Sequence, residues 1–156
     1  MKIVAHRINT IQQLKELPVK YGCEIDIRAR GSDLILQHDP FLNGDKLTDY
    51  LDSYQHGLLI LNIKEAGIEQ NVIDAVTQRG ITDYFLLDVE FPYIYRASRL
   101  GIRKIAIRFS EDEPIEFSQN YSGLLDWVWI DTISTLPIDD TNQPVLSAYQ
   151  TCLVDR

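Results

Sequence analysis

Several short runs of this chain are almost entirely apolar, and they constrain the fold more than any other feature. Two examples are "LLILNI" and "YFLLDV". Runs of this kind are typical of strands covered on both faces, as in a parallel sheet flanked by helices. Amphipathic segments separate the runs, and one of them, residues 68–79, has helical spacing and ends at Gly80. This alternation predicts an α/β fold, either a barrel or a doubly wound sheet.

The apolar periodicity places the elements along the chain. We predict strands at residues 2–6, 23–28, 33–38, 58–64, 84–89, 104–109, 127–131 and 151–154. Helices are predicted at residues 10–17, 46–54, 68–79, 92–100 and 114–121. No glycine-rich loop follows the first strand, which disfavours a nucleotide-binding fold of the Rossmann or P-loop kind. No repeat or Pro/Gly linker interrupts residues 1–156, so a single domain is expected.

Polar residues stand in the C-terminal halves of nearly all the predicted strands. They are His6, Glu24, Asp26, Arg28, His38, Asn62, Lys64, Asp88, Arg108 and Asp131. In a parallel barrel every strand ends at the same face, where active sites are built, so the breadth of this pattern favours a TIM-type (β/α) barrel. Such barrels need about 200 residues or more. The 156 residues therefore predict a barrel that is short or incomplete at its C-terminus. A homodimer would cover the edge strand left unpaired.

Glu24 and Asp26 lie two residues apart on a predicted strand, so their side chains share one face. Two adjacent carboxylates repel each other, and a hard cation such as Mg²⁺ or Ca²⁺ would remove that conflict. Arg28 follows at the same spacing and could instead neutralise the pair as a structural salt-bridge ladder. The local pattern leaves both interpretations open.

Two histidines favour a catalytic role for this cluster over a purely structural one. His6 and His38 both end predicted strands and would flank the carboxylates, whereas His56 precedes a strand and is expected to be structural. Imidazoles can serve as general acid and general base. With Lys64 and arginines nearby, the cluster suits an anionic ester, above all a phosphodiester, whose charge a metal and cations would stabilise.

Composition excludes several classes of partner. The net charge of −8 argues against binding to nucleic acid or to an anionic membrane surface. No apolar run approaches the ~20 residues that span a bilayer. The apolar stretch at the N-terminus is also too short for a signal peptide. Cys23 and Cys152 are expected to be buried, reduced thiols, so a cytoplasmic location is predicted.

The polar motifs resemble those of a known family. "AHR" at 5–7, "EID" at 24–26, "HD" at 38–39 and a strand that ends at Lys64 are similar to the glycerophosphodiester phosphodiesterase superfamily, which is built on a TIM barrel. The resemblance implies His6 and His38 as the acid/base pair, Glu24 and Asp26 as metal ligands, and Lys64 as a phosphate contact. Arg7, Arg28 and Arg108 are candidates for further phosphate contacts. Asp88 and Asp131 are second-tier candidates because of their strand-end positions.

Three departures from the family pattern bear on the substrate. Ile8, Asn9 and Thr10 follow His-Arg directly, where the family has Gly and then Pro-Glu-Asn-Thr. Asn62 replaces the third metal carboxylate, so it would ligate through its carbonyl oxygen and the metal would be held less tightly. The short run between His38 and Lys64 leaves no room for the family's glycerol-binding subdomain.

The sequence therefore supports two functional hypotheses. The first is a metal-dependent phosphodiesterase or phosphodiester lyase that acts on a sugar- or polyol-linked phosphodiester. The alternative is a non-catalytic protein that binds a phosphorylated sugar or a metal. "FSE", "DWVWID" and "CLVDR" also resemble small barrel proteins encoded in bacterial surface-polysaccharide clusters, which favours a glycan-related substrate for either hypothesis.

Overall fold

Strands and helices alternate along the chain, which confirms the α/β class. The structure is a computed structural model and describes residues 2–153. The strands are β1 (Val4–Ala5), β2 (Gly22–Arg30), β3 (Asp33–Leu36), β4 (Asp45–Lys46), β5 (Leu59–Ile63), β6 (Tyr84–Leu87), β7 (Ala106–Phe109), β8 (Trp127–Ile130) and β9 (Gln150–Leu153). The helices are α1 (Ile11–Glu16), α2 (Leu47–Asp52), α3 (Glu69–Thr77), α4 (Phe91–Arg99), α5 (Ile115–Asn120) and α6 (Gln143–Leu146).

The predicted elements match these closely, with differences at their ends and two short elements that were missed. The short strand β4 and the short helix α6 were not predicted. The last predicted strand reached Val154, which lies outside the described residues. Thr10, where the predicted helix began, is instead the N-cap of α1, and its side chain accepts a hydrogen bond from the Gln13 N–H.

The chain separates into two compact units, the first ending at Val89 and the second beginning at Glu90. The first unit contains a six-stranded sheet in the order β4-β3-β2-β5-β6, with β1 also paired to β2. The strands β1, β2, β5 and β6 run parallel to their neighbours in this group. The second unit contains the parallel three-stranded sheet β7-β8-β9. Within residues 2–153 no closed barrel is found, so the incomplete barrel and the single domain stay predictions.

Strand β2 is the central strand of the first unit, and it is buried from Gly22 to Ile27. Cys23, Ile25 and Ile27 alternate along one face, and all of them are fully buried. The other face carries Glu24 and Asp26, which are only 1% and 0% exposed. Burying charged groups costs several kcal/mol unless they find partners, so this face must be built around them.

The prediction that residues 33–38 form another parallel strand of a barrel is wrong. β3 runs antiparallel to β2, with Arg30 opposite Asp33 and Ile27 opposite Leu36. The turn between them contains Gly31 in a left-handed conformation, with φ of 62°. A two-residue loop of Gly and Ser between apolar runs is a hairpin signal, and it is the pattern that could have predicted this pairing.

The hairpin explains how His38 reaches the polar end of β2. β2 continues past the end of its partner β5, turns, and returns as β3, so that the Gln37 N–H donates to the Asp26 carbonyl at 2.9 Å. His38 follows directly. It therefore arrives beside Asp26 by reversing direction, and not as the end of a parallel strand.

Other predicted structural roles agree with the structure. The Nε2 atom of His56 is 2.9 Å from the Leu17 carbonyl oxygen, which fits a structural histidine. Both cysteines have free thiols; Cys23 is buried as predicted, whereas Cys152 is only partly buried. None of the helices in residues 2–153 exceeds nine residues, so none of them could cross a bilayer.

Candidate active site

The candidate site is built around the two buried carboxylates of β2. Glu24 accepts two hydrogen bonds, one from Asn62 Nδ2 to Oε1 and one from the Arg7 backbone N–H to Oε2, both at 2.8 Å. Asn62 lies on the neighbouring strand β5, opposite Asp26 in register. The two strands therefore place the predicted ligands Glu24, Asp26 and Asn62 in one cluster.

Asp26 is held by a residue that the sequence interpretation did not assign to the site. Asn9 Nδ2 donates to Asp26 Oδ2 at 2.7 Å, and the Asp26 backbone N–H donates back to Asn9 Oδ1 at 2.8 Å. Lys64 Nζ lies 3.0 Å from the other oxygen, Asp26 Oδ1. Asn9 could have been suspected from the polar run that follows His6, since that run leaves the end of a strand.

The two histidines lie at the same end of the sheet. His6 follows β1, and its Nε2 atom is 3.6 Å from Glu24 Oε2. His38 Nδ1 is 2.8 Å from Asp39 Oδ1, and its Nε2 is 2.9 Å from Arg7 Nη2. Asp39 is a second residue, after Asn9, that the sequence interpretation did not assign to the site, although it belongs to the His38-Asp39 motif. Both imidazole side chains are partly exposed.

Arg28 supports the site's backbone. Its Nε and Nη2 atoms donate to the His38 carbonyl at 3.1 and 2.9 Å, and Nη1 donates to the Lys64 carbonyl at 3.2 Å. The guanidinium therefore links the chain after β3 to the end of β5. This arrangement differs from the salt-bridge ladder with Glu24 and Asp26 that the i, i+2 spacing suggested. The predicted phosphate contact of Arg28 stays a prediction.

Two residues at the edge of the site have left-handed backbone conformations that are unusual for residues other than glycine. Arg7 and Asp88 each have φ of 56°. Asp88 directly follows β6, and its Oδ2 atom is 3.7 Å from Lys64 Nζ. Such conformations cost energy and concentrate at functional sites.

Arg108 and Asp131 contact each other within the second unit. Arg108 Nη2 donates to Asp131 Oδ2 at 2.6 Å, and Arg108 Nε donates to Glu113 Oε1 at 3.0 Å. Asp131 is buried and Arg108 is partly exposed. Their positions at strand ends make them candidates, and their part in the site stays a prediction.

Electrostatics at the carboxylate pair favour a positive ligand. Burial raises the pKa of Glu24, and the negative charge of Asp26 raises it further. The hydrogen bonds from the Arg7 N–H and Asn62 offset part of this increase. A cation placed beside the pair would therefore be stabilised by both carboxylates.

The residues present can accommodate a divalent cation. Asn62 Oδ1 is a buried oxygen acceptor without a hydrogen bond among the described residues, and Asp26 Oδ1, on the register partner of Asn62, is paired with Lys64 Nζ at 3.0 Å. Oxygen donors of this kind suit Mg²⁺ or Ca²⁺. In the described part of the chain, no group of three His, Cys, Asp or Glu side chains could hold a metal ion, so a site here needs the Asn62 amide. Lys64 Nζ would compete with a metal for Asp26 Oδ1.

Comparisons with known proteins agree with this fold. No family model matches the sequence, and no curated protein matches it either. A solved structure from Agrobacterium tumefaciens strain C58, described as a candidate glycerophosphoryl diester phosphodiesterase, is similar with a TM-score of 0.73 and 9% sequence identity. The match covers 98% of this chain and 84% of that one. The likeness of this chain to that structure is one of fold.

Proposed function

We propose that this chain cleaves a sugar- or polyol-linked phosphodiester, either as a metal-dependent phosphodiesterase or as a phosphodiester lyase. One observation carries the proposal: His6, His38, the buried Glu24–Asp26 pair and Lys64 gather at one end of the first unit's sheet. The similar structure from Agrobacterium supports the proposal through its fold. The net charge of −8 makes a local cationic group necessary for an anionic substrate.

The histidines supply proton transfer in this proposal. One imidazole removes the proton from the attacking oxygen, an O–P bond forms, and the P–O bond to the leaving group breaks as the other imidazole protonates that oxygen. In the lyase form the attacking oxygen is a neighbouring hydroxyl of the substrate, so the product is a cyclic phosphate. Arg7 and Lys64 would bind the phosphoryl oxygens.

Glu24, Asp26 and Asn62 would hold the divalent cation, Mg²⁺ or Ca²⁺. When bound, the cation supplies stabilisation of the negative charge on the phosphoryl group. Asn9 keeps Asp26 in place through its paired hydrogen bonds, and Asn62 and the Arg7 N–H do the same for Glu24. We further propose a cytoplasmic location, which free thiols at both cysteines support.

A second candidate function is a binding protein that retains the pocket without turnover. The hydrogen bonding of Glu24 favours it, because both of its oxygens already accept bonds from protein donors. Lys64 also lies close to Asp26. A pocket neutralised in this way could hold a phosphorylated sugar without a catalytic metal.

The test is phosphodiester turnover with Mg²⁺, Mn²⁺ or Ca²⁺, on substrates from aryl phosphodiesters to nucleotide sugars. We expect His38→Gln to lower kcat/KM by about 100-fold or more, as for loss of a general acid or base. His56→Gln is the matched control, since His56 contacts the Leu17 carbonyl away from the carboxylates, and it should retain activity. No turnover, together with phosphosugar binding in calorimetry, would support the binding protein. Neither turnover nor binding would refute both.

A further inference from the structure

The contact between Arg7 and His38 assigns the hydrogen positions on the imidazole. Arg7 Nη2 lies 2.9 Å from His38 Nε2, and a guanidinium can only donate hydrogen bonds. Nε2 therefore accepts, and in the neutral ring the proton is on Nδ1. That nitrogen is 2.8 Å from Asp39 Oδ1, which acts as its acceptor. The hydrogen bond from His38 lowers the pKa of Asp39, in agreement with an ionised acceptor.

This arrangement leaves one nitrogen of His38 for proton exchange with a substrate, and Arg7 occupies it. Nδ1 is engaged by Asp39, so a proton must enter or leave the ring at Nε2. While the Arg7 bond is formed, the lone pair of Nε2 is not available. While this bond is present, His38 can neither accept a proton as a general base nor be reprotonated at Nε2.

The backbone of Arg7 helps to hold its side chain over His38. Its φ of 56° is a conformation that costs energy in residues other than glycine. The Arg7 N–H donates to the buried carboxylate of Glu24 at 2.8 Å, which fixes the backbone there. Arg7 is an exposed residue, so an incoming anion can approach its side chain.

We propose that Arg7 is a phosphate-released latch that covers His38 Nε2 in the free protein and moves to the phosphate oxygens when a phosphodiester anion binds. Phosphate oxygens bind a guanidinium in a bidentate, charge-assisted manner, which is stronger than a single bond to an imidazole nitrogen. The latch makes proton transfer by His38 conditional on an anionic ligand. The proposal rests on the proposed function, since it assumes that phosphate binds at this site.

The test measures the reactivity of His38 towards diethyl pyrocarbonate, which acylates an imidazole nitrogen through its free lone pair. Peptide mass mapping separates His38 from the other two of the three histidines. The variant is Arg7→Asn, because asparagine tolerates a left-handed backbone and carries no charge. We expect His38 to react about fivefold faster in Arg7→Asn, equivalent to a hydrogen bond of about 1 kcal/mol. Inorganic phosphate should accelerate the wild-type reaction towards the variant's rate and leave the variant's rate unaccelerated.

Arg30→Gln is the matched control. Arg30 is another exposed arginine of the first unit, and its guanidinium donates to the Phe41 and Leu42 carbonyls. It should leave the reactivity of His38 unchanged. Equal rates in wild type and Arg7→Asn would overturn the latch whether or not the protein is an enzyme. A faster variant combined with phosphate that protects the wild type, or has no effect on it, would overturn the release step. Failure of the proposed function would appear instead as absent turnover in the separate assay.

Discussion

At the scale of single residues, the buried carboxylates dominate the energetics of the site. Glu24 and Asp26 are two residues apart on β2, so their side chains point to the same face of the sheet. This spacing is visible in the sequence. Their partners come from elsewhere in the first unit, with Asn9 following β1 and Lys64 following β5. Removing one of these partners should leave a buried charge uncompensated.

We expect Lys64→Met to lower the free energy of unfolding by about 3 kcal/mol, because it leaves Asp26 without its cation. The Asp26 side chain is 1% exposed and that of Lys64 is 17% exposed. Lys2→Met is the control, since the Lys2 and Asp83 side chains of its ion pair are 54% and 50% exposed. That change should cost less than about 1 kcal/mol. Urea denaturation measures both, and equal losses would contradict the argument.

The titration of Glu24 gives a second prediction. Its pKa should lie above the value of an ordinary glutamate because of burial and then the charge of Asp26. Asp26→Asn should lower it without restoring the ordinary value, since burial remains. Carbon-13 NMR of the Glu24 carboxyl measures the midpoint. A Glu24 midpoint at or below the ordinary value would contradict the prediction.

The same shift has a definite sign for stability. The folded protein holds the Glu24 proton to a higher pH than the unfolded chain does. The stabilisation is fully present below the unfolded pKa and is lost as the pH rises through the folded pKa. A cation bound to the pair should lower the Glu24 midpoint, and an NMR titration repeated with Mg²⁺ would detect that decrease.

At the scale of elements, close packing where β1, β2 and β5 meet is sensitive to a single methyl group. A Cβ atom added to Gly22 would lie 2.3 Å from the Leu58 carbonyl oxygen, whereas one added to Gly57 would meet its nearest atoms at 3.5 Å. Gly22→Ala should therefore lower the free energy of unfolding by about 3 kcal/mol or more. Gly57→Ala, its neighbour in space, should change it by less than about 1 kcal/mol. Chemical denaturation distinguishes the two, and similar losses would contradict this account of the packing.

Most elements of this chain follow from local patterns. The helix over 68–79 and the buried runs of β5 and β6 have periodicities that depend only on neighbouring residues. Strand direction is different, because an apolar run looks the same whether it pairs parallel or antiparallel. The direction of β3 depends on the Gly31 turn, and the strand-end pattern by itself does not distinguish it from a parallel strand.

At the scale of the whole molecule, the two sheets found in residues 2–153 do not test the prediction that the chain forms a homodimer. A short or incomplete barrel exposes a strand edge, and a second copy of the chain is one way to cover it. We expect sedimentation equilibrium to give about twice the chain mass at micromolar concentrations. A single-chain mass across the accessible range would contradict the homodimer.

The sequence by itself determined the α/β class, the positions of most strands and helices, and the residue types of the candidate site. These follow from periods of 2 and 3.6 residues, which are properties of neighbouring positions. The tertiary structure alone decided which donors satisfy Glu24 and Asp26, the route by which His38 reaches them, and the contact of Arg7 with His38 Nε2. Such pairings join residues distant in sequence, and they depend on strand register and turn geometry, which composition and periodicity do not encode.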